Sequence, residues 1–246
     1  MAKSSGLGDN FYIGGYNLSG DVNSLGNIST PRGILEDTGS DKLALERLLL
    51  HKDGLIEFTT FFNDATSQEH DALKTLPTID VHSAYYRGTT IGNAAASMVA
   101  KQNNYDWSRP ADGSLMGAVQ CQANSFGLEW GQMLTAGVRT DTTATNGSSY
   151  DTVASASFGI QAYLQVFSFS GTSCTVTVQD SADNAAFATI GGLGSFTAAT
   201  GRTAERIVST NTTTVRRYLR VATTGTFSSC AFAVMVVKNE IAGYVT

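Results

Sequence analysis

The side chains best suited to hold a metal or to attack a substrate are three histidines and three cysteines among 246 residues. They are His51, His70, His82, Cys121, Cys174 and Cys230. The histidines share no metal-ligand spacing, and no Cys-x-x-Cys or Cys-x-x-His pair occurs, which argues against a structural zinc site. An odd number of widely spaced cysteines also argues against a disulfide framework. We therefore expect buried free thiols and no metal.

Motifs of phosphate and acyl-transfer chemistry do not occur either. The chain has no Gly-x-Ser-x-Gly elbow, no phosphate-binding loop with a lysine, and no Gly-x-Gly-x-x-Gly after a strand. The run Ile190–Gly194 is rich in glycine, but no predicted helix follows it to bind a phosphate, so it indicates a turn. The run Asp180–Asn184 lacks the glycine and glutamate of an EF-hand and favours a turn over a calcium site. The sequence predicts no enzyme and no cofactor.

Two groups of side chains in residues 146–246 are candidates for binding a partner. Five arginines form a basic cluster: Arg202, Arg206, Arg216, Arg217 and Arg220. Nucleic-acid binding requires a strongly basic domain, whereas this part holds 6 Lys/Arg against 5 Asp/Glu, so solvated or subunit-contacting arginines are the better interpretation. Four aromatic residues are candidates for stacking on sugars, although aromatic residues on strands more often belong to the core: Tyr150, Tyr163, Phe167 and Tyr218.

The composition indicates the elements that position these groups. Charged residues make up only 15% of the chain, against a usual value of about 25%, and Ser, Thr, Asn, Ala and Gly take their place. Such a polar but weakly charged chain suits short strands and turns. Strands are predicted at 55–62, 79–86, 95–102, 115–122, 158–168, 174–180, 187–190, 204–209, 215–223 and 227–238, with turns at Gly171 and Gly225.

One short helix and one domain boundary interrupt the strands. Thr66 followed by Glu69 has the spacing of a capping box, and Ala72, Leu73 and Leu76 form an apolar face that ends before Pro77. Near residue 145 the composition changes, because residues 1–145 hold 10 Lys/Arg and 16 Asp/Glu. The small polar segment 140–149 is interpreted as a linker. We predict two domains, 1–145 and 146–246, the second a β-sandwich of jelly-roll or immunoglobulin-like type.

The stretch 35–53 is the most unusual part of the chain, because it lies between two predicted strands and mixes charges with five leucines within residues 43–50. It is either a helical turn or a long extended loop, and long loops with apolar residues of their own often have a function. The leucines are Leu43, Leu45, Leu48, Leu49 and Leu50, and Lys52 and Asp53 follow them. These seven residues are the candidates for such a function.

The sequence predicts no signal peptide and no membrane-spanning segment. The first residues have no apolar stretch of signal-peptide length, and the longest apolar run, 227–237, is too short to span a bilayer. We expect a protein that is made in a cytoplasm and has no membrane insertion.

Two segments resemble tail proteins of long-tailed bacterial viruses of actinobacteria. Phe11–Val22 resembles their opening, an aromatic strand followed by a Gly-x-(Asp/Asn)-Leu-Ser turn and a second strand. Asp53–Asn63 is similar to their Asp-Gly … Phe-(Asp/Asn) strand, and the order of elements over residues 10–125 also fits.

The resemblance implies a tail-tube fold in the first domain, a β-sandwich or barrel with one flanking helix. It implies six copies joined edge to edge in a ring, with the 35–53 loop reaching the next ring and genomic DNA passing through the lumen. The second domain would decorate the tube, and the protein would belong to the virion tail, with itself and other tail or head proteins as partners. Three alternatives stay open: a capsid decoration protein, a head–tail connector, and a glycan-binding receptor-recognition component.

Overall fold

The structure is a computed structural model that describes residues 5–241, and its fold is mainly β with one short helix, α1 (Glu69–Leu73). The strands up to residue 141 are β1 (Asn10–Ile13), β2 (Tyr16–Asn17), β3 (Val22–Ser29), β4 (Arg32–Glu36), β5 (Arg47–Lys52), β6 (Leu55–Phe61), β7 (Val81–Tyr86), β8 (Ala94–Gln102), β9 (Asp106–Ser108), β10 (Met116–Ala123), β11 (Glu129–Met133) and β12 (Arg139–Asp141). The later strands are β13 (Tyr150–Asp151), β14 (Ile160–Ser181), β15 (Ala188–Thr189), β16 (Thr203–Val208) and β17 (Tyr218–Lys238). The predicted fold class is confirmed.

The first half of the chain forms an antiparallel sheet in the order β3, β6, β10, β8, β7 and β1. β6 shows the period-two pattern that predicted it, since Ile56 and Phe58 are buried and the residues between them are half-buried. These side chains pack with others of the same half around one core: Phe11, Ile13, Leu18, Leu73, Ala96, Met98, Ala100, Val119, Cys121 and Leu128. The predicted strands of this half agree with β6, β7, β8 and β10 to within two residues at each end.

Helix α1 is where the sequence predicts it, but the predicted capping box is wrong. The helix begins after Gln68, which makes no side-chain cap, and Asp21 from the β2–β3 connection accepts a hydrogen bond from the Glu69 N–H at 3.0 Å instead. Leu73 is buried against the sheet, whereas Leu76 lies beyond the helix and is 44% exposed. A residue distant in sequence therefore caps this helix.

In the second half the two long strands β14 and β17 pair along nearly their whole length. The predicted turns at Gly171 and Gly225 are wrong, because both glycines lie inside these strands at register shifts or bends, with φ of 146° and 119°. A Cβ on Gly171 would lie 2.4 Å from Phe227 Cα, and one on Gly225 would lie 2.3 Å from the Ser173 carbonyl oxygen. The missing side chains let the two strands bend together and enclose their own core.

A buried cluster joins the two halves: Tyr12, Ala84, Tyr86, Ala95, Met133, Tyr163, Ala233, Met235 and Val237. The side chain of Gln165 bridges them, since its Oε1 accepts from the Gly15 N–H at 2.7 Å and its Nε2 donates to the His82 carbonyl at 2.8 Å. β11 extends the connection, because it pairs with β8 on one side and β17 on the other. The sheet therefore continues across the predicted domain boundary, which itself stays a prediction.

The segment 140–149 is bound to the second half and is not the free linker that its composition predicts. β12 pairs with β17, and farther along the chain Asn146 bridges Ala222. Arg139 holds the start of this segment, because its guanidinium donates two hydrogen bonds to Asp141, at 2.8 and 2.7 Å, and one to the Val221 carbonyl at 3.0 Å. The small polar residues of this segment allow the chain to run close alongside β17.

Candidate assembly interface

The candidate interface is a β-hairpin that lies outside the main sheet. β4 and β5 pair only with each other in a separate two-stranded sheet, with Leu35 opposite Leu48 and Ile34 opposite Leu49. We call residues 32–52 the arm. The predicted extended loop is thus a hairpin, and the alternative of a helical turn is wrong.

Both faces of the arm are apolar and exposed to solvent. Its seven large apolar side chains have exposed fractions between 45% and 107%: Ile34, Leu35, Leu43, Leu45, Leu48, Leu49 and Leu50. Because side chains alternate along a strand, Leu48 and Leu50 share one face while Leu49 lies on the other. Several large apolar side chains exposed together on one segment usually mark a contact with another molecule.

The far end of the arm is closed by hydrogen bonds within the chain. The Asp37 N–H donates to the Glu46 carbonyl at 3.0 Å, and the Glu46 N–H donates to Thr38 Oγ1 at 3.0 Å. Lys42 Nζ lies 3.4 Å from Glu46 Oε1. An isolated two-stranded hairpin is only marginally stable in water, so these contacts shape the arm without giving it a core.

The root of the arm is held firmly by the body of the protein. Lys52 Nζ lies 2.6 Å from Glu129 Oε2, and both side chains are largely shielded from solvent. The Asp53 N–H donates to the Pro31 carbonyl at 2.9 Å, which closes the base of the hairpin. The Asp53 carboxylate accepts from the Gly54 N–H at 2.7 Å and from Gln122 Nε2 at 3.1 Å.

Two glycines allow the root to pack closely against the turn before β11. A Cβ on Gly54 would lie 2.5 Å from the Leu128 backbone nitrogen, and one on Gly127 would lie 2.7 Å from Lys52 Cγ. Real Cβ atoms essentially never come that close to another atom, so a larger residue at either position would force the root to shift. The arm therefore projects from a fixed base.

The structure divides the seven predicted interface residues into two groups. The five leucines lie together on the exposed arm, whereas Lys52 and Asp53 lie at the root and bind the same chain. Sequence reasoning missed Ile34 and Leu35, which are 60% and 51% exposed and face the leucines across the hairpin. Ile34 and Leu35 lie between Gly33 and the acidic residues 36–37. In the sequence, so short an apolar segment looks like part of an ordinary strand.

The five arginines of the second half have partners within the chain, although Arg202 and Arg217 are also exposed to solvent, and a contact of these arginines with another subunit stays a prediction. Arg202 contacts the Tyr16 ring and Ser67, and Arg206 contacts the Phe126 ring and Gln161. Arg216 pairs with Asp180, and Arg217 pairs with Asp151. Arg220 contacts Gln179 and the Phe187 ring. Arg202 and Arg206 bind residues of the first half, so they contribute to the contact between halves.

The aromatic residues that were candidates for sugar stacking mostly belong to the interior. Tyr163 is 1% exposed and lies in the cluster between the halves, against which Phe167 packs. Tyr150 packs against the core of the second half, and Tyr218 lies under the Arg217 guanidinium. These four rings do not form an exposed platform.

Four groups that can exchange protons are buried, namely the three cysteines and Glu69. The three cysteines are free and buried, and burial raises the pKa of Cys121 to about 12. Burial also raises the pKa of Glu69, with the like charge of Asp21 adding to it and the Thr60 and Tyr105 hydroxyls opposing it. Within residues 5–241, no group of three or more His, Cys, Asp or Glu side chains is placed to hold a metal ion. In the same range, no helix has the length and apolar character needed to cross a membrane.

Comparisons with known proteins found similarity only among solved structures. No protein-family model and no curated protein sequence matches the chain. The Dit protein of phage SPP1, described as a paradigm of the hub adsorption apparatus in phages infecting Gram-positive bacteria, aligns with a TM-score of 0.34 and 10% identity, covering 93% of this chain and 99% of that chain. The phage p2 baseplate in its activated conformation aligns with TM-scores of 0.34 with strontium and 0.33 with calcium, at 9% and 10% identity, each covering 95% of this chain and 99% of that chain. Likeness at this level does not establish a shared fold.

Proposed function

We propose that the protein is a structural subunit of a bacteriophage tail that assembles with copies of itself and is not an enzyme. The observation that carries this proposal is the arm, which holds seven exposed apolar side chains on a fixed root. Each such side chain contributes about 1.5–3 kcal/mol when fully buried, so a neighbouring subunit that covered the arm would be bound tightly.

The first half of the chain also has a free sheet edge, which supports assembly with another copy. Within the described sheet, β3 pairs only with β6, so its other side presents backbone groups without a neighbouring strand. Pairing this edge with a different free edge of the next copy, repeated until the set closes, would join the sheets into a ring and remove the exposed edges. The resemblance of Phe11–Val22 and Asp53–Asn63 to phage tail proteins is the reason for proposing that this assembly is part of a phage tail.

The finer form of the proposal is a tail tube of stacked six-fold rings, in which edge pairing builds each ring and arms connect successive rings. The excess of acidic residues in 1–145 suits a lumen that must not bind the DNA passing through it, since phosphate binding is driven by positive charge.

Negative-stain electron microscopy of the purified protein tests the proposal. We expect rings or hollow rods for the wild type, and their loss in the Leu48→Ser/Leu49→Ser variant. Ile79→Ser is a matched control, because Ile79 is 72% exposed but lies in the connection before β7. A wild type that stays monomeric at high concentration contradicts the proposal. Monodisperse trimers would favour a decoration protein, and specific retention on host cell walls would favour a glycan-binding component.

A further inference from the structure

Two of the three cysteines lie in the same buried core, on the two long strands of the second half. Cys174 belongs to β14 and Cys230 belongs to β17, and both side chains are fully buried in the cluster that these strands enclose. Cys121 lies apart from them, in the core of the first half. The fold therefore separates one single thiol from a possible pair.

Strand pairing alone would keep the two thiols of the second half apart. Cys174 pairs with Gly225, and Cys230 pairs with Phe169, so the two cysteines are five residues out of register along β17. In a straight ladder this offset corresponds to about 17 Å. A contact between the thiols therefore requires the paired strands to bend.

Both strands do bend in this region. Gly171 on β14 lies at a register shift, and Gly225 on β17 has a φ of 119°. Asp141 shows how far β17 turns, because its backbone pairs with Cys230 while its carboxylate accepts a hydrogen bond from Thr223 Oγ1 at 2.7 Å. Two residues seven positions apart on β17 thus meet the same aspartate, which brings the part of the strand near Gly225 back toward Cys230.

The two thiols interact directly across the core. Burial raises the pKa of Cys230 to about 12, and Cys174 adds to this rise through the charge of its thiolate and a side-chain hydrogen bond. Burial also raises the pKa of Cys174, and the hydrogen bond with Cys230 opposes that rise. These opposite effects identify the Cys230 S–H as the donor and Cys174 Sγ as the acceptor. The two sulfur atoms therefore lie next to each other.

We propose that Cys174 and Cys230 form a disulfide when the folded protein meets hydrogen peroxide. One sulfur attacks the peroxide, its O–O bond breaks, and a sulfenic acid and one water molecule form. The second thiol then attacks that sulfur, which forms the S–S bond and releases a second water molecule. In total the two thiols give up two electrons and two protons, and the peroxide is reduced to water.

Burial makes this reaction slow but selective. The thiolate is the reactive form, and the raised pKa values of both cysteines keep it scarce at neutral pH. Once either sulfur is oxidised, the partner thiol already lies against it, so the second step is intramolecular. Cys121 lies in a different core from both other cysteines, so it cannot complete a disulfide within the folded chain.

Peptide mapping of the full-length protein tests the proposal. The folded protein is incubated with hydrogen peroxide, which is then removed with catalase, and the remaining thiols are blocked with iodoacetamide in guanidinium. Mass spectrometry of a non-reduced digest should show one dominant linked pair, Cys174 with Cys230, which disappears after treatment with dithiothreitol. The oxidised protein should also melt at a higher temperature than the reduced protein, because the cross-link restricts the unfolded chain.

Cys121→Ala is the matched control, because it removes a buried thiol and leaves the pair intact. We expect this variant to form the link as completely as the wild type, whereas Cys230→Ala should form no link above background. The same peroxide treatment in urea verifies that the oxidant is effective, since an unfolded chain can join its three cysteines in any combination.

Two outcomes of the mapping on the wild type would overturn the proposal. One is that Cys174 and Cys230 stay free in the folded protein although links form in urea. The other is that Cys121 is linked in the folded protein as often as the other two cysteines are linked to each other. Neither outcome depends on whether a variant folds.

Discussion

Lys52 and Glu129 form the ion pair that fixes the arm to the body of the protein. The 2.6 Å separation of Lys52 Nζ and Glu129 Oε2 joins the last residue of β5 to the first residue of β11. β11 in turn pairs with β8 and β17, the strands through which the two halves meet. The exposed hairpin is therefore connected through one side-chain contact to the centre of the sheet.

Replacing Lys52 by Met should destabilise the protein and loosen the root of the arm. The change leaves the Glu129 carboxylate shielded from water without its cation, and loss of one partner of a buried pair costs about 3 kcal/mol. Urea unfolding measures the free energy of unfolding, and limited proteolysis of residues 32–52 reports on the root.

Lys42→Met is the matched control for that experiment. Lys42 pairs with Glu46 on the arm, where both side chains are about half exposed. Exposed pairs contribute about 0–1 kcal/mol, so this variant should unfold nearly like the wild type. Equal stability of the Lys52→Met and Lys42→Met variants would show that the root pair does not hold the arm.

Replacing Gly131 by Ala should destabilise the connection between the two halves. A Cβ at Gly131 would lie 2.0 Å from the Val236 carbonyl oxygen, so β11 and β17 must separate to admit it. Overpacking of this kind costs about 1–3 kcal/mol, measured as a lower melting temperature. Gly191→Ala is the control, because no atom lies within 4 Å of a Cβ there. Equal melting temperatures for the two variants would contradict the close approach of the strands.

Deleting residues 38–50 should abolish assembly while the rest of the protein stays folded. Residues 39–50 are all exposed, so their removal takes little from the core, and changes at such positions usually alter stability by about 0.5 kcal/mol or less. Circular dichroism melting measures the fold, and microscopy measures assembly. Rods that persisted after this deletion would show that other residues connect the subunits.

The sequence predicts most strands of the first half because one face of each is buried. β6 alternates between buried and half-buried positions, and the same period appears in β10, where Val119 and Cys121 are buried. The arm escapes such reasoning, because its two faces are both apolar and both exposed, so neither a strand period nor a helix period appears. The leucines were identified as interface candidates from the apolar content of a long loop together with the resemblance to tail proteins.

Long-range contacts account for the features that local patterns predicted wrongly. Gly171 and Gly225 have the composition of turns, but each is needed where a neighbouring strand approaches within 2.4 Å of a Cβ position. The cap of α1 comes from Asp21, 48 residues before Glu69. The sequence also does not reveal the partners of the arginines, since Asp151, which pairs with Arg217, is 66 residues away. No local pattern records a contact over such distances in sequence.

Replacing Glu69 by Gln should stabilise the protein at neutral pH, with an effect that depends on pH. The Glu69 side chain is fully buried, and burial raises its pKa. A raised pKa means that the folded state binds the proton more tightly than the unfolded state. The stability linked to Glu69 is therefore fully present below its unfolded pKa and is lost as the pH rises through its folded pKa.

Because glutamine carries no charge, the Glu69→Gln variant avoids that loss. We expect its free energy of unfolding at pH 7 to exceed that of the wild type by about 1 kcal/mol, the scale of one unsatisfied buried group, and the difference to shrink toward pH 4. Glu129→Gln is the opposite control, because Glu129 is paired with Lys52 and its neutralisation should destabilise the protein at pH 7. A Glu69→Gln variant that is less stable than the wild type at every pH would show that the carboxylate is satisfied in the folded state, and the raised pKa would then be wrong.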